Sequence, residues 1–179
     1  PGSAAKTADI VLKVKDSVPY HAGVSYDNQG TRLVGRSRTT YSFRSSNFSG
    51  RNDSIAMAAL TSATSNGDFV SYTFPCGTYG TRAGLDYTFF FAKQGKEYKG
   101  LDITGTTQIF TPHVSMELAL SENFQAYADY GLDIKSVHRR DRANVVVDDQ
   151  IRMPYVAFDV AKMDRFLGGG QTVFGPRFS

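Results

Sequence analysis

The sequence has no tryptophan, a single cysteine, six prolines and no long apolar run. Each scarcity excludes something. One cysteine, Cys76, cannot build an internal disulfide framework or a multi-cysteine zinc or iron–sulfur site. The longest purely apolar stretch, Ile55–Leu60, is six residues, far short of the ~20 that a transmembrane helix needs. The first residues do not read as a basic-then-apolar leader, and no common lipidation motif is present. Charge of one sign is also scarce. Twenty Lys and Arg stand against seventeen Asp and Glu, and a net +3 is too small to point to nucleic acid. At 179 residues the chain has the length of one domain, or of part of a larger one.

What the sequence does have is aromatic content, 13 Phe and 10 Tyr, and a period of two. From Thr81 to Ala92, Ala83, Leu85, Tyr87, Phe89 and Phe91 oppose Arg82, Gly84, Asp86, Thr88 and Phe90. From Phe124 to Ser136, Phe124, Ala126, Ala128, Tyr130, Leu132 and Ile134 oppose Gln125, Tyr127, Asp129, Gly131, Asp133 and Lys135. Val34–Arg44 sets Tyr41 and Phe43 against Arg36, Arg38 and Arg44. Side chains alternate across a strand, so each segment separates an apolar from a polar face. Weaker alternation marks Tyr20–Asp27, Ser54–Ser62, Asp68–Phe74, Leu101–Phe110 and Gln150–Lys162. The reading is all-β: an antiparallel up-and-down meander of about eight strands.

Turn clusters separate the strands at 27–30, 49–53, 75–77 and 168–170. Thr111-Pro112 is expected to be a further turn, Asn66-Gly67 a tight hairpin, and His138–Asp149 a long polar connection. Met116–Leu120 has only a weak helical pattern, and Pro154 suggests a bulge or strand edge that would flip Met153 relative to Asp159. Asp9–Lys15 also alternates but is set apart by Ser17-Val18-Pro19, so it reads as the closing strand of a small preceding domain.

Two-faced strands of this kind admit two solutions. A soluble barrel or sandwich turns the apolar face inward. A membrane barrel inverts it, apolar toward lipid and polar toward a wet lumen. Strands of ten to thirteen residues suit a tilted membrane crossing, and faces rich in Ala, Tyr and Phe suit lipid with an aromatic girdle. Periodicity alone leaves both open.

Specific residues carry a resemblance. Asp9-Ile10-Val11-Leu12-Lys13-Val14, then Val24-Ser25-Tyr26-Asp27-Asn28-Gln29-Gly30-Thr31 and Gly35-Arg36, resemble the outer-membrane transporters of two-partner secretion, the haemolysin-activator and filamentous-haemagglutinin secretion proteins. In that family the last strand of a periplasmic POTRA domain leads into a first barrel strand ending in an Asp-Asn/Asp-Xaa-Gly turn. Asn47-Phe48-Ser49-Gly50 with Asp53 is similar to its first periplasmic turn, and Tyr72-Thr73-Phe74-Pro75 with Gly80 to its second. Asp164 with Gly168-Gly169-Gly170 resembles a later one. The order and spacing of these elements carry the likeness across nearly the whole chain.

The resemblance implies that residues 1–17 end a POTRA-like periplasmic domain and linker, and that 18–179 form the N-terminal part of a barrel of about sixteen strands. Nothing here matches the Val-Arg-Gly-Tyr lid motif of the family's second half. It further implies an outer-membrane location in a Gram-negative-type bacterium. The partners would be an unfolded secreted polypeptide, outer-membrane lipid and the rest of the barrel, with no cofactor and no nucleic acid.

The expected lumen-facing residues are Arg36, Arg38, Arg44, Arg82, Asp86, Asp102, Asp129, Asp133 and Lys135; the expected turn residues are Asp27, Gly30, Gly50, Asp53, Pro75, Gly80, Asp164 and Gly169. Catalysis finds little support. His21, His113 and His138 share no ligand spacing, Ser115 lacks a nucleophile elbow, and Gly168-Gly169-Gly170 precedes no helix that could cradle phosphate. Arg139-Arg140-Asp141-Arg142 reads as a solvated mixed-charge loop. Neither an enzyme nor a metal site is expected. Two other classes stay open: a complete eight-stranded outer-membrane barrel with a structural or adhesive role, and a soluble lipocalin-like binder.

Overall fold

Strands that alternate in polarity can satisfy every backbone donor by pairing with neighbours while sorting side chains onto two faces. The computed structural model describes residues 18–30, 35–78, 80–94, 102–142, 144–164 and 170–179. The Asp9–Lys15 strand, the 1–17 domain boundary, and Gly168 and Gly169 lie outside the described residues.

Ten strands follow in chain order: β1 (Tyr20–Asp27), β2 (Arg38–Ser45), β3 (Ser54–Ser62), β4 (Ser65–Pro75), β5 (Arg82–Lys93), β6 (Thr104–Ser121), β7 (Phe124–Asp141), β8 (Asn144–Asp164), β9 (Gly170–Phe174) and β10 (Arg177–Phe178). They form one antiparallel up-and-down sheet in sequence order, with β9 and β10 both pairing with β8. Among the described residues β1 pairs only with β2, so the sheet is unclosed. The eight strands read from the sequence correspond to β1–β8, and β9 and β10 are additional.

Three expected turns lie inside strands. Thr111-Pro112 sits mid-β6: pairing with β7 is interrupted there but resumes in the same register at His113↔Gly131. A proline lacks the ladder donor, yet neighbouring pairs on both sides hold the strand extended. Asn66 and Gly67 belong to β4, opposite Thr61 and Leu60, and the hairpin closes three residues earlier at Ala63-Thr64. The polar stretch 138–149 is mostly strand, because β7 and β8 continue as a paired hairpin to Asp141↔Asn144. Met116–Leu120 is strand too, with a bulge between Glu117 and Ala119.

Pro154 marks no bulge. The β7–β8 register runs unbroken from Lys162 to Asp148 through Leu132↔Pro154. The Phe158 amide points toward Pro176 on the opposite edge, and Pro154, four residues earlier, has the same parity. Its missing N–H therefore faces away from β7, and the β7–β8 ladder loses no bond.

The register assigns every residue to a face. One face carries Tyr20, Val24, Tyr41, Met57, Val70, Leu85, Tyr87, Phe110, Val114, Tyr130, Ile134, Val156 and Phe158. These side chains cover no core. Val24 is 71% exposed and Tyr26 68%, and among the described residues only Ala126 and Ala128 are buried hydrophobics. Soluble chains rarely leave so broad an apolar face bare. On β7 the outward face is apolar from Phe124 to Ile134 and polar from Ser136 onward. Ten steps at about 3.3 Å, tilted by about 40°, span about 25 Å, the height of a barrel's lipid-facing band.

Candidate functional site

The opposite face is the candidate site, and its pattern is set by which residues the register brings level. Asp86 on β5 stands opposite Thr111, Gly84 opposite His113, Thr111 is level with Asp133, and Gly131 faces Tyr155. The side chains form a connected wall. His113 Nδ1 lies 3.6 Å from Asp86 Oδ2, and Thr111 Oγ1 donates to Asp133 Oδ1 at 2.8 Å. Asp133 also accepts from the Arg177 guanidinium, whose Cζ sits 3.7 Å above the Tyr155 ring. Asp86 Oδ1 is buried without a hydrogen-bond partner among the described residues.

Glycines make room for this wall. A Cβ on Gly84 would fall 2.4 Å from the His113 ring, and one on Gly131 2.4 Å from the Tyr155 ring. Each ring therefore occupies the space that a side chain on its neighbour would need. Phe90 over Gly67 repeats the arrangement more loosely, at 3.1 Å. The same face is not uniformly polar: Phe69, Phe90, Ile109, Ile151 and Met153 form an apolar tier on the side of the β7–β8 hairpin tip.

The expected site residues fall in several places. Asp86, Asp129, Asp133, Lys135, Arg44 and Arg82 are on the polar face, and Arg82 also donates to the Asn52 carbonyl at 2.9 Å. Arg38 is on that face as well, held by Asp27 at 2.8 Å. Arg36 and Asp102 are not on strands but in the connections before β2 and β6, with Asp102 paired to Lys93. The sequence sets His113 aside as a metal or catalytic ligand, assigns Thr111 to a turn, and does not mark Tyr155 or Arg177 as site residues. Glycines at period-two positions of polar faces were the available signal, but the rings covering them become visible only with the register.

The turns are built as their residue types require. Asp27 Oδ1 accepts from the Gln29 amide at 2.9 Å, and Gly30 N–H donates to the Arg36 carbonyl. Pro75 ends β4 opposite Arg82, and Gly80 takes a positive φ of 67° in the following turn. In the 46–53 turn, Gly50 has φ 83° and Asn52 φ 59°. Asp53 is 1% exposed, accepting from the Ser49 amide at 2.9 Å and the Tyr72 hydroxyl at 3.0 Å. Burial works against ionisation of Asp53, but the bonds from Ser49 and Tyr72 together outweigh it and hold the carboxyl below its usual value. Such a group stabilises the turn fully above the unfolded value, about pH 4, and that contribution is lost as pH falls through the lowered one. Hydrogen-exchange protection of the Ser49 amide should therefore fall below about pH 4 in the wild type and be low at every pH in Asp53→Ala, which has no acceptor. A flat wild-type profile would contradict this.

A one-layer antiparallel sheet with a lipid-height apolar face and a polar, charge-bearing reverse is part of the wall of a transmembrane β-barrel. Residues 6–153 match the sequence model of the haemolysin secretion/activation protein ShlB/FhaC/HecB family. The chain belongs to that family, whose place is the outer membrane. The heme/hemopexin transporter protein HuxB of Haemophilus influenzae is 26% identical over 140 residues, which cover 72% of this chain and 25% of the relative. CdiB from Escherichia coli superposes with a TM-score of 0.71 at 16% identity, over 92% of this chain and 32% of that one. The chain thus spans about a quarter of the length of the curated relatives it matches.

Proposed function

We propose that the chain forms the N-terminal wall of a conduit through which an unfolded partner polypeptide crosses the outer membrane. In this reading residues 1–17 end a periplasmic POTRA-like domain that delivers the partner, and 18–179 line its path. The observation that carries it is the division of faces. Lipid takes the apolar side, which leaves Asp86, Asp129, Asp133, Lys135 and Arg177 facing the passage. Both signs of charge on one wall keep a passing chain hydrated without trapping any one sequence. The apolar tier of Phe69, Phe90 and Ile109 offers transient contact to its apolar side chains. The work is passage, with no reaction at the wall.

Cysteine crosslinking tests it. In the complete barrel, a partner stalled in transit should crosslink to Asp129→Cys and not to Tyr130→Cys, whose side chain faces lipid. Residues 1–179 alone, reconstituted in vesicles, should secrete nothing, because unpaired β1 backbone groups are costly in lipid. Crosslinks at Tyr130→Cys, or secretion by the 179 residues alone, would overturn the reading.

A further inference from the structure

The apolar band has a sharp edge on the side of the β7–β8 hairpin tip. Its last outward apolar residues are Phe91, Phe110, Ile134 and Pro154; two residues beyond them stand Lys93, Gln108, Ser136 and Arg152. β6, β7 and β8 continue past that edge as a polar extension. The two longest connections between strands, 28–37 and 94–103, stand at this end, and longer loops mark the extracellular end of such barrels. The extension therefore stands at the outer leaflet.

Just beyond the edge, Phe91, Thr104, Thr106, His138 and Arg140 line an outward recess of about 390 Å³. Its acidic neighbours are engaged: Asp102 pairs with Lys93, and Asp148 with His138 Nδ1 at 2.8 Å. Arg140 and the exposed Arg152 have no ion-pair or hydrogen-bond partner among the described residues. Two uncommitted guanidinium groups thus flank the layer where lipid headgroups lie, about 6 Å deep on each side of the hydrocarbon. Their long stems can reach into that layer from above and below. A guanidinium fork matches phosphate oxygens in pairs, and threonine hydroxyls add further donors. Below the recess, Phe89, Phe110 and Ile134 continue as apolar surface suited to acyl chains.

We propose that this recess binds the phosphorylated headgroup of an outer-leaflet lipid, with Arg140 and Arg152 taking its phosphates and the acyl chains running along Phe110 and Ile134. The inference rests on the outer-membrane placement and not on the secretion reading, so a barrel that secretes nothing could still hold the lipid. The test uses the complete barrel in mild detergent, with bound lipid measured by native mass spectrometry. Diphosphorylated lipid A should be retained about tenfold more tightly than its dephosphorylated form, from two charge-assisted contacts. Arg140→Ala with Arg152→Ala should abolish that preference, while Arg140→Lys with Arg152→Lys should keep part of it. Equal retention of both lipids by the wild type would overturn the proposal, independently of how the variants fold. Displacement of lipid A by an equal concentration of inorganic phosphate would also overturn it, showing a free-phosphate site instead.

Discussion

Val114→Arg is expected to destabilise the barrel by about 2–4 kcal/mol, while Ser115→Arg, one residue on, should change stability by less than about 1 kcal/mol. Val114 is outward on β6, between Ala83 and Tyr130, near the middle of the apolar band. An arginine there must be buried in hydrocarbon or pull the lipid inward to reach water. Ser115 points to the other face, between Arg82 and Asp129, where a new cation meets a carboxylate and solvent. Urea titration in lipid vesicles, read by heat-modifiable gel migration, measures both. Equal costs at the two positions would contradict the assignment of faces on which the functional reading depends.

Gly131→Ala should cost about 1–3 kcal/mol, large for the addition of one methyl group. The new Cβ would lie 2.4–2.6 Å from three atoms of the Tyr155 ring and hydroxyl. Tyr155 cannot simply rotate away, because the Arg177 guanidinium sits 3.7 Å over its ring and is tied to Asp133. Moving the ring therefore disturbs the attachment of β10 to the wall. The cost should be coupled to the ring: in a Tyr155→Ala background, Gly131→Ala should be nearly neutral. Additive costs in the double variant would remove the glycine–aromatic contact from the account.

The faces were legible in the sequence because the outward side chains must all be apolar over the lipid band. On β5 and β7 the alternation of Ala83–Phe91 and Phe124–Ile134 alone sorts residues correctly. It fails where that demand ends. Beyond Ser136 both faces of β7 touch water, so His138 and Arg140 carry no period and read as a loop. Pro112 was misread because local turn chemistry ignores the support of two flanking strands. Met153 shows a third limit. It shares the inner face with Tyr155 and Asp159, since an apolar side chain is tolerated on a polar wall whereas a charge in lipid is not. The site was only half visible. Carboxylates and arginines announce themselves, but the joining of Thr111 to Asp133 and of Arg177 to Tyr155 depends on pairings 22 positions apart.

The strands lengthen across the sheet, from 8 residues in β1 and β2 to 18 in β7 and 21 in β8. Mechanically, this makes the wall a tapered seam. Under a lateral load the β1–β2 joint, paired over less than half the length of the β7–β8 joint, is the weaker of the two.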